Sequence, residues 1–158
     1  MDSEDPGYLP AMSLEGGVED VVVDSNVLFT FFFKNSVAKK ILPRRVFEFY
    51  SPVYALEEIN FHREEILKKT RISVDSFAKL REELALFVEF IPSDEYSSFW
   101  KAASFIPDKD DIDFVALALK MGCPLWSNDK ELKKQSLVEI LTTDEFIKKY
   151  LYGSYPDI

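Results

Sequence analysis

Cysteine and histidine are nearly missing from this chain of 158 residues: there is 1 Cys and 1 His. Cys123 alone allows no internal disulfide, which points to a reduced compartment and a thiol buried within its apolar stretch. A catalytic Cys123 lacks an activating partner, because His62 is remote in sequence and no basic group adjoins the thiol. A zinc site built on Cys and His clusters is excluded for the same reason. No apolar run approaches the roughly 18 residues of a membrane span, and the N-terminus is acidic where a secretory signal would be basic, so the sequence predicts a soluble, cytoplasmic protein.

What is present is a core and an excess of acid. A hydrophobic content of 47%, with 15% aromatic, suits one folded domain and excludes a disordered chain. The net charge of -9 is unevenly spread. Residues 1–29 hold 7 acids and no base, residues 30–81 hold 11 bases against 6 acids, and residues 82–158 hold 8 bases against 15 acids. A basic middle between acidic ends reads either as a phosphate-contacting surface around an acidic pocket or as solvated helix faces.

Residues 1–17, with Pro6, Pro10, Gly16 and Gly17 and little periodicity, read as an N-terminal extension outside the folded unit, and residues 153–158 as a tail. Between them strands alternate with helices. "VEDVVVDSN" is a buried strand ending at Asp24, followed by a helix from near Val27 that Ser25 or Asn26 can cap. "NSVAKKIL" adds a helical turn or two, stopped by Pro43. "VFEFYSP" is a second strand, and one helix is expected from Val53 to about Lys69, with another capped by Ser73. "FVEFIP" is a third strand, followed by a helix from Ser93 through Phe105. The helix that the Asp-rich stretch opens ends at Gly122. "CPLWSND" is a fourth strand ending near Asp129. A brief helix, a last strand in "VEILT" and a helix capped by Thr142 or Thr143 complete the chain. This alternation predicts an α/β fold with a parallel sheet covered on both faces, whose ligand crevice lies past the carboxyl ends of the strands.

Asp24 and Asp129 both stand past such ends. Asp110, Asp111 and Asp113 stand in or near the first turn of the helix before the fourth strand, so separate segments can deliver carboxylates to one place. Part of this is explained without function, because Asp in a first turn caps free amides and complements the helix dipole. A pocket of carboxylate oxygens with no Cys or His cluster suits Mg2+ or Mn2+. Of Glu57 and Glu58, about 100° apart on one helix, only one can join it. His62 reads as a surface residue. In "VLFTFFF", Phe31, Phe32 and Phe33 cannot all face one side of a helix, so at least one is expected at the surface or an interface.

With these stretches in view, "VVVDSNVLF", "SPVYALEEI", "DDIDFVALALKMGCPLWSND" and the following "KEL", the chain from about Val21 to Lys149 resembles the PIN-domain ribonucleases, which include the toxins of VapBC-type toxin–antitoxin pairs. The resemblance implies an α/β/α sandwich, placed here at residues 18–152, and a homodimer. It implies metal-dependent hydrolysis of RNA phosphodiesters with Asp24, Glu58, Asp111 and Asp129 as ligands and Asn26 and Ser127 positioning water or a phosphate oxygen. Ser127 replaces the family's usual Thr and keeps its hydroxyl. Asp113 is expected as a secondary ligand or water anchor, and Asp110 as a cap. RNA phosphates need positive contacts, for which Lys34, Lys39, Lys40, Arg44 and Arg45 are candidates. A toxin would have a small antitoxin partner. The non-enzymatic alternative is a catalytically silent PIN-like protein- or RNA-interaction domain. A phosphotransferase of the haloacid-dehalogenase kind would want a second Asp where Asn26 stands, and a phosphate-receiving regulator would want an acidic pair after the first strand.

Overall fold

The computed structural model describes residues 17–152, so most of the N-terminal extension and the tail lie outside the described residues. Five strands form one sheet: β1 (Glu19–Val23), β2 (Phe47–Pro52), β3 (Val88–Ile91), β4 (Leu125–Trp126) and β5 (Ile140–Leu141). Their order is β3-β2-β1-β4-β5 and every pairing is parallel. The helices are α1 (Ser25–Thr30), α2 (Val37–Ile41), α3 (Val53–Phe61), α4 (Arg63–Thr70), α5 (Val74–Phe87), α6 (Trp100–Ala103), α7 (Lys109–Met121) and α8 (Thr143–Tyr150). They cover both faces of the sheet, giving a three-layer α/β/α fold. Val21, Val22 and Val23 are all buried, as a central strand between two helical layers requires.

Aromatic packing ties the layers together. Trp126 stacks on Phe146 of α8 at 4.7 Å, Phe47 and Phe49 lie against the same ring, and Phe32 of the first crossover stacks on Phe77 of α5 at 4.9 Å. Phe31 and Phe32 are buried while Phe33 is exposed, so one of the three successive aromatics does reach the surface, although all three follow the last residue of α1 and the helical reason expected for it does not apply.

Several boundaries differ from expectation. Asp24 caps α1: its carboxylate accepts from the Ser25 amide, so the helix starts at Ser25. Asp108 caps α7 by accepting from the Asp110 amide, the role expected of Asp110. The helix expected from Val53 to Lys69 is divided at His62, whose φ of -95° and ψ of 16° interrupt it while its ring packs edge-on against Phe29 and Phe61. The helix expected from Ser93 to Phe105 resolves into 3-10 turns at Ser93–Glu95 and Ser97–Phe99 followed by α6. Tyr96 sits at the joint, buried, with its hydroxyl donating to Asp113, so a tertiary bond overrides helical continuity. The other boundaries follow the local signals. Ser73 caps α5, Thr142 and Glu145 form a capping box on α8, and Gly122 closes α7 at φ +63°, the left-handed conformation glycine adopts most readily.

Candidate functional site

Successive crossovers step from β1 to β2 and β3 on one side, and the chain then returns to place β4 and β5 on the other. The crevice of such a sheet opens at this switch, between the carboxyl ends of β1 and β4. Asp24 follows β1 and is 3% exposed. Its Oδ1 accepts from the Ser25 amide at 2.7 Å, and its Oδ2 accepts from the Ser127 hydroxyl at 2.5 Å and from Asn26 Nδ2 at 3.1 Å. Ser127, fully buried past β4, also accepts from the Asp129 amide at 3.1 Å. The Asn128 amide donates to Asn26 Oδ1 at 3.5 Å. This lattice clamps the ends of β1 and β4 to each other and fixes the Asp24 rotamer.

Asp129 caps the 3-10 turn Lys130–Lys134 with Oδ1, accepting from the Glu131 amide at 2.9 Å. Glu58 approaches from α3 half-buried, while Glu57 is exposed, so one of the pair turns inward. Asp111, also half-buried, comes from the first turn of α7. Burial raises the Asp24 carboxyl above the usual range, with Asp129 adding repulsion, although hydrogen bonds from Ser127 and Ser25 oppose the rise. Burial pushes Glu58 up to about 7, offset in part by a hydrogen bond from Ser25 and reinforced by the charges of Asp110, Asp24 and Asp108. Asp111 is likewise pushed up to about 7 by burial, then by Asp24, Asp108, Asp129 and Asp110. These carboxylates therefore share one electrostatic environment.

Among the described residues no three of these side chains meet at the spacing of ligands around one ion. The chemistry of the group nonetheless fits a hard divalent cation. The donors are all oxygen, the charges repel one another, and Glu58 Oε1 is buried with no hydrogen-bond partner. Asp113 and Asp110 are more committed: Tyr96 donates to Asp113 and Tyr54 to Asp110. Beside Asp111 and Asp129 opens a cavity of about 370 Å³ whose other walls include Ile106, Pro107 and Leu132.

Of the expected basic residues, Arg44 and Arg45 stand away from this pocket. Arg44 and Arg45 precede β2, whose first residue Phe47 is in register with Glu19 at the start of β1, so they stand at the opposite end of the sheet and line a separate cavity there. Lys34 is exposed in the turn after α1, and Lys39 and Lys40 lie on α2 with the Lys39 ammonium 5.9 Å from the Phe31 ring centroid. Sequence reasoning had left Asp108, Ser25, Tyr54 and Tyr96 outside the site. Asp108 was legible as a cap after Pro107, but the carboxylate anchoring by the two tyrosines depends on tertiary packing. Cys123 is half-buried, and burial pushes its thiol up to about 12, away from nucleophilic use. No helix among the described residues is long and apolar enough to cross a membrane.

Comparison with known proteins bears on the fold and the family. The fold is similar to that of a chain in the VapBC2 structure from Rickettsia felis bound to a DNA fragment from their promoter (TM-score 0.60, 12% identity, covering 78% of this chain and 98% of that one). It is also similar to a chain of VapBC-5 from Mycobacterium tuberculosis, a member of the VapBC family of toxin–antitoxin systems (TM-score 0.51, 18% identity, with the same coverage of 78% and 98%). No curated protein sequence matches significantly. The family model of the PIN domain matches residues 22–150, from the buried core of β1 to the last turn of α8, and the chain belongs to the PIN domain family.

Proposed function

We propose that the protein is a metal-dependent endoribonuclease that hydrolyses RNA phosphodiester bonds. The observation that carries this reading is the mutual repulsion of Asp24, Glu58, Asp111 and Asp129, which come from the ends of two strands, the second turn of α3 and the first turn of α7, with Glu58 and Asp111 both pushed up to about 7. Such a cluster is costly unless a cation offsets it. Membership of the PIN domain family supports the choice of nuclease over other metal chemistry.

In this reading Asp24, Glu58, Asp111 and Asp129 hold Mg2+ or Mn2+, with Asp113 as a secondary ligand or water anchor. When bound, such an ion supplies Lewis acidity that lowers the pKa of a water and stabilises the leaving oxygen of an in-line displacement. The protein's own contribution is orientation. Ser127 and Asn26 hold Asp24 from one side and the Ser25 amide holds it from the other, so the carboxylate needs little reorganisation to bind. Glu58 Oε1 is a buried acceptor waiting for a positive partner. The apolar wall of the 370 Å³ cavity suits a nucleobase flanking the cut. Lys34, Lys39 and Lys40 are the proposed phosphate contacts, and the distant Arg44 and Arg45 are not. The VapBC complexes among the fold neighbours support an antitoxin as partner. Exposed Phe33 is a candidate contact for it or for a second copy in a homodimer.

The test is cleavage of a mixed single-stranded RNA pool with Mg2+, with Mn2+ and with EDTA, beside Asp111→Asn. Metal-dependent cutting abolished in the variant is expected. Equal inertness of parent and variant, with Mn2+ bound by the parent, would leave the silent interaction domain as the better reading.

A further inference from the structure

We propose that the outer end of α3 carries a stacking site for an unpaired nucleobase, formed by Phe61 with Asn60, Arg63 and Arg81, which holds single-stranded RNA where it leaves the acidic pocket. This rests on the nuclease reading and adds a subsite to it. Phe61 is 82% exposed, the most exposed large apolar side chain among the described residues. A single exposed ring needs no explanation by itself, so its surroundings decide what it can do. A cavity of about 410 Å³ is lined by Asn60, Phe61, Arg63, Glu64 and Arg81. The Phe61 ring meets His62 edge-on at 5.0 Å, and His62 meets Phe29 of α1 at 5.7 Å, which braces the ring from behind.

The charged groups select the ligand. Arg81 has its guanidinium carbon 5.5 Å from the Phe77 ring centroid and donates to Asn60 Oδ1 at 2.5 Å, and among the described residues it has no carboxylate partner. Arg63 pairs with Glu64 at 3.2 Å on an exposed surface, a contact of the kind that phosphate readily displaces. An aromatic face beside a guanidinium and a carboxamide matches a base with its phosphate, whereas a protein-docking patch would surround Phe61 with further apolar side chains. Position supplies the link to the pocket. Phe61 follows Glu58 by three residues, a rise of about 4.5 Å and a rotation of about 60° along the same helix. On α1, Ser25 and Phe29 are four residues apart, as are Glu58 and His62 on α3, and the two pairs run side by side, Ser25 beside Glu58 and Phe29 beside His62. A strand crossing the carboxylates is therefore led onto an aromatic surface one helical turn away.

The experiment uses the full chain carrying Asp111→Asn, so that bound RNA is not consumed, and a short fluorescein-labelled single-stranded RNA of mixed sequence read by fluorescence anisotropy across a salt series. Phe61→Ala should weaken binding about tenfold and Phe61→Trp should keep it, because stacking needs an aromatic face and not a particular ring. Arg81→Gln should lower the slope of log K against log salt by about one. Unchanged binding in Phe61→Ala, or equal loss in Phe61→Trp, overturns the proposal, as does a background protein that binds no RNA; the patch would then be a protein contact. Cleavage by the parent with Mn2+ is scored separately. A parent that binds RNA through Phe61 but does not cut overturns the nuclease reading and leaves the stacking site. A parent that cuts while Phe61→Ala binds normally overturns the stacking site alone.

Discussion

Replacing Asp111 by Asn should make the metal-free protein more stable and, in the same stroke, inactive. Burial and the charges of Asp24, Asp108, Asp129 and Asp110 raise the Asp111 carboxyl from 3.8 to about 7. A carboxylic acid with a raised folded-state pKa favours the fold while it stays protonated. Its contribution is fully present below about 3.8 and is lost as pH rises through about 7, the reverse of an acid in an ion pair. Unscreened, that rise would cost about 4 kcal/mol, and solvent screening of this half-buried side chain reduces it to about 1–2 kcal/mol. Asn keeps the shape without the charge, so urea unfolding in EDTA should show the variant more stable than the parent by about 1–2 kcal/mol at pH 8.5, with the difference shrinking towards pH 4. Mn2+ at pH 8.5 should raise the parent's midpoint more than the variant's, since a ligand that binds only the native state stabilises it by mass action. A variant that is less stable than the parent at pH 8.5, or a difference independent of pH, would show that the acids do not strain one another and would remove the electrostatic case for a cation.

Glu58→Gln should follow the same pattern over its own window, from 4.5 to about 7, and its effect should add less than fully to that of Asp111→Asn because the groups share Asp24, Asp108 and Asp110 as neighbours; a double-mutant cycle in urea measures the coupling. Ser127→Ala removes a buried donor to Asp24 and should destabilise by about 1–3 kcal/mol in thermal or urea unfolding. Trp126→Ala takes out a fully buried ring stacked on Phe146 and should cost about 3–5 kcal/mol, with loss of near-ultraviolet circular dichroism. Charge reversal at Lys39 and Lys40 should weaken RNA binding and flatten its salt dependence, while reversal at Arg44 and Arg45, at the far end of the sheet, should leave both close to the parent; equal effects would show that the strand wraps the whole domain.

The alternation of strands and helices was legible because each strand is a short apolar run ending at an acid, a proline or a turn, and the position of Asp24 and Asp129 past two such runs placed the crevice. Caps were legible as a kind and ambiguous as individuals. Asp24, Ser25 and Asn26 are all capping residues, and what selects Asp24 is the bond from Ser127, 103 positions away. Tyr96 interrupts its helix for the same sort of reason, through a partner that local sequence does not reveal. The position of Arg44 and Arg45 was not legible, because a cluster of bases near Asp24 in sequence lies, after one crossover, at the other end of a parallel sheet. Phe61 carries no local signal at all, since its helix pattern is the same whether that ring is covered or bare.

The two halves of the sheet are unequal. β1, β2 and β3 are joined by registers of four residue pairs at each seam, whereas β1, β4 and β5 are joined by two. Resistance to local opening grows with the number of bonds that must break together, so amide exchange should be faster at Leu125 and Ser127, whose amides bond across the two-pair seam to β5, than at Val21 in the four-pair seam with β2. Asp24 thus follows the strand shared with the more extensively paired half of the sheet, and Asp129 follows the first strand of the thinner half. Under the proposed metal-binding reading, the adjustment that draws the carboxylates together would fall on Asp129, beyond the Ser127 bond that clamps β4 to β1, while the thicker half of the sheet holds Asp24 in place.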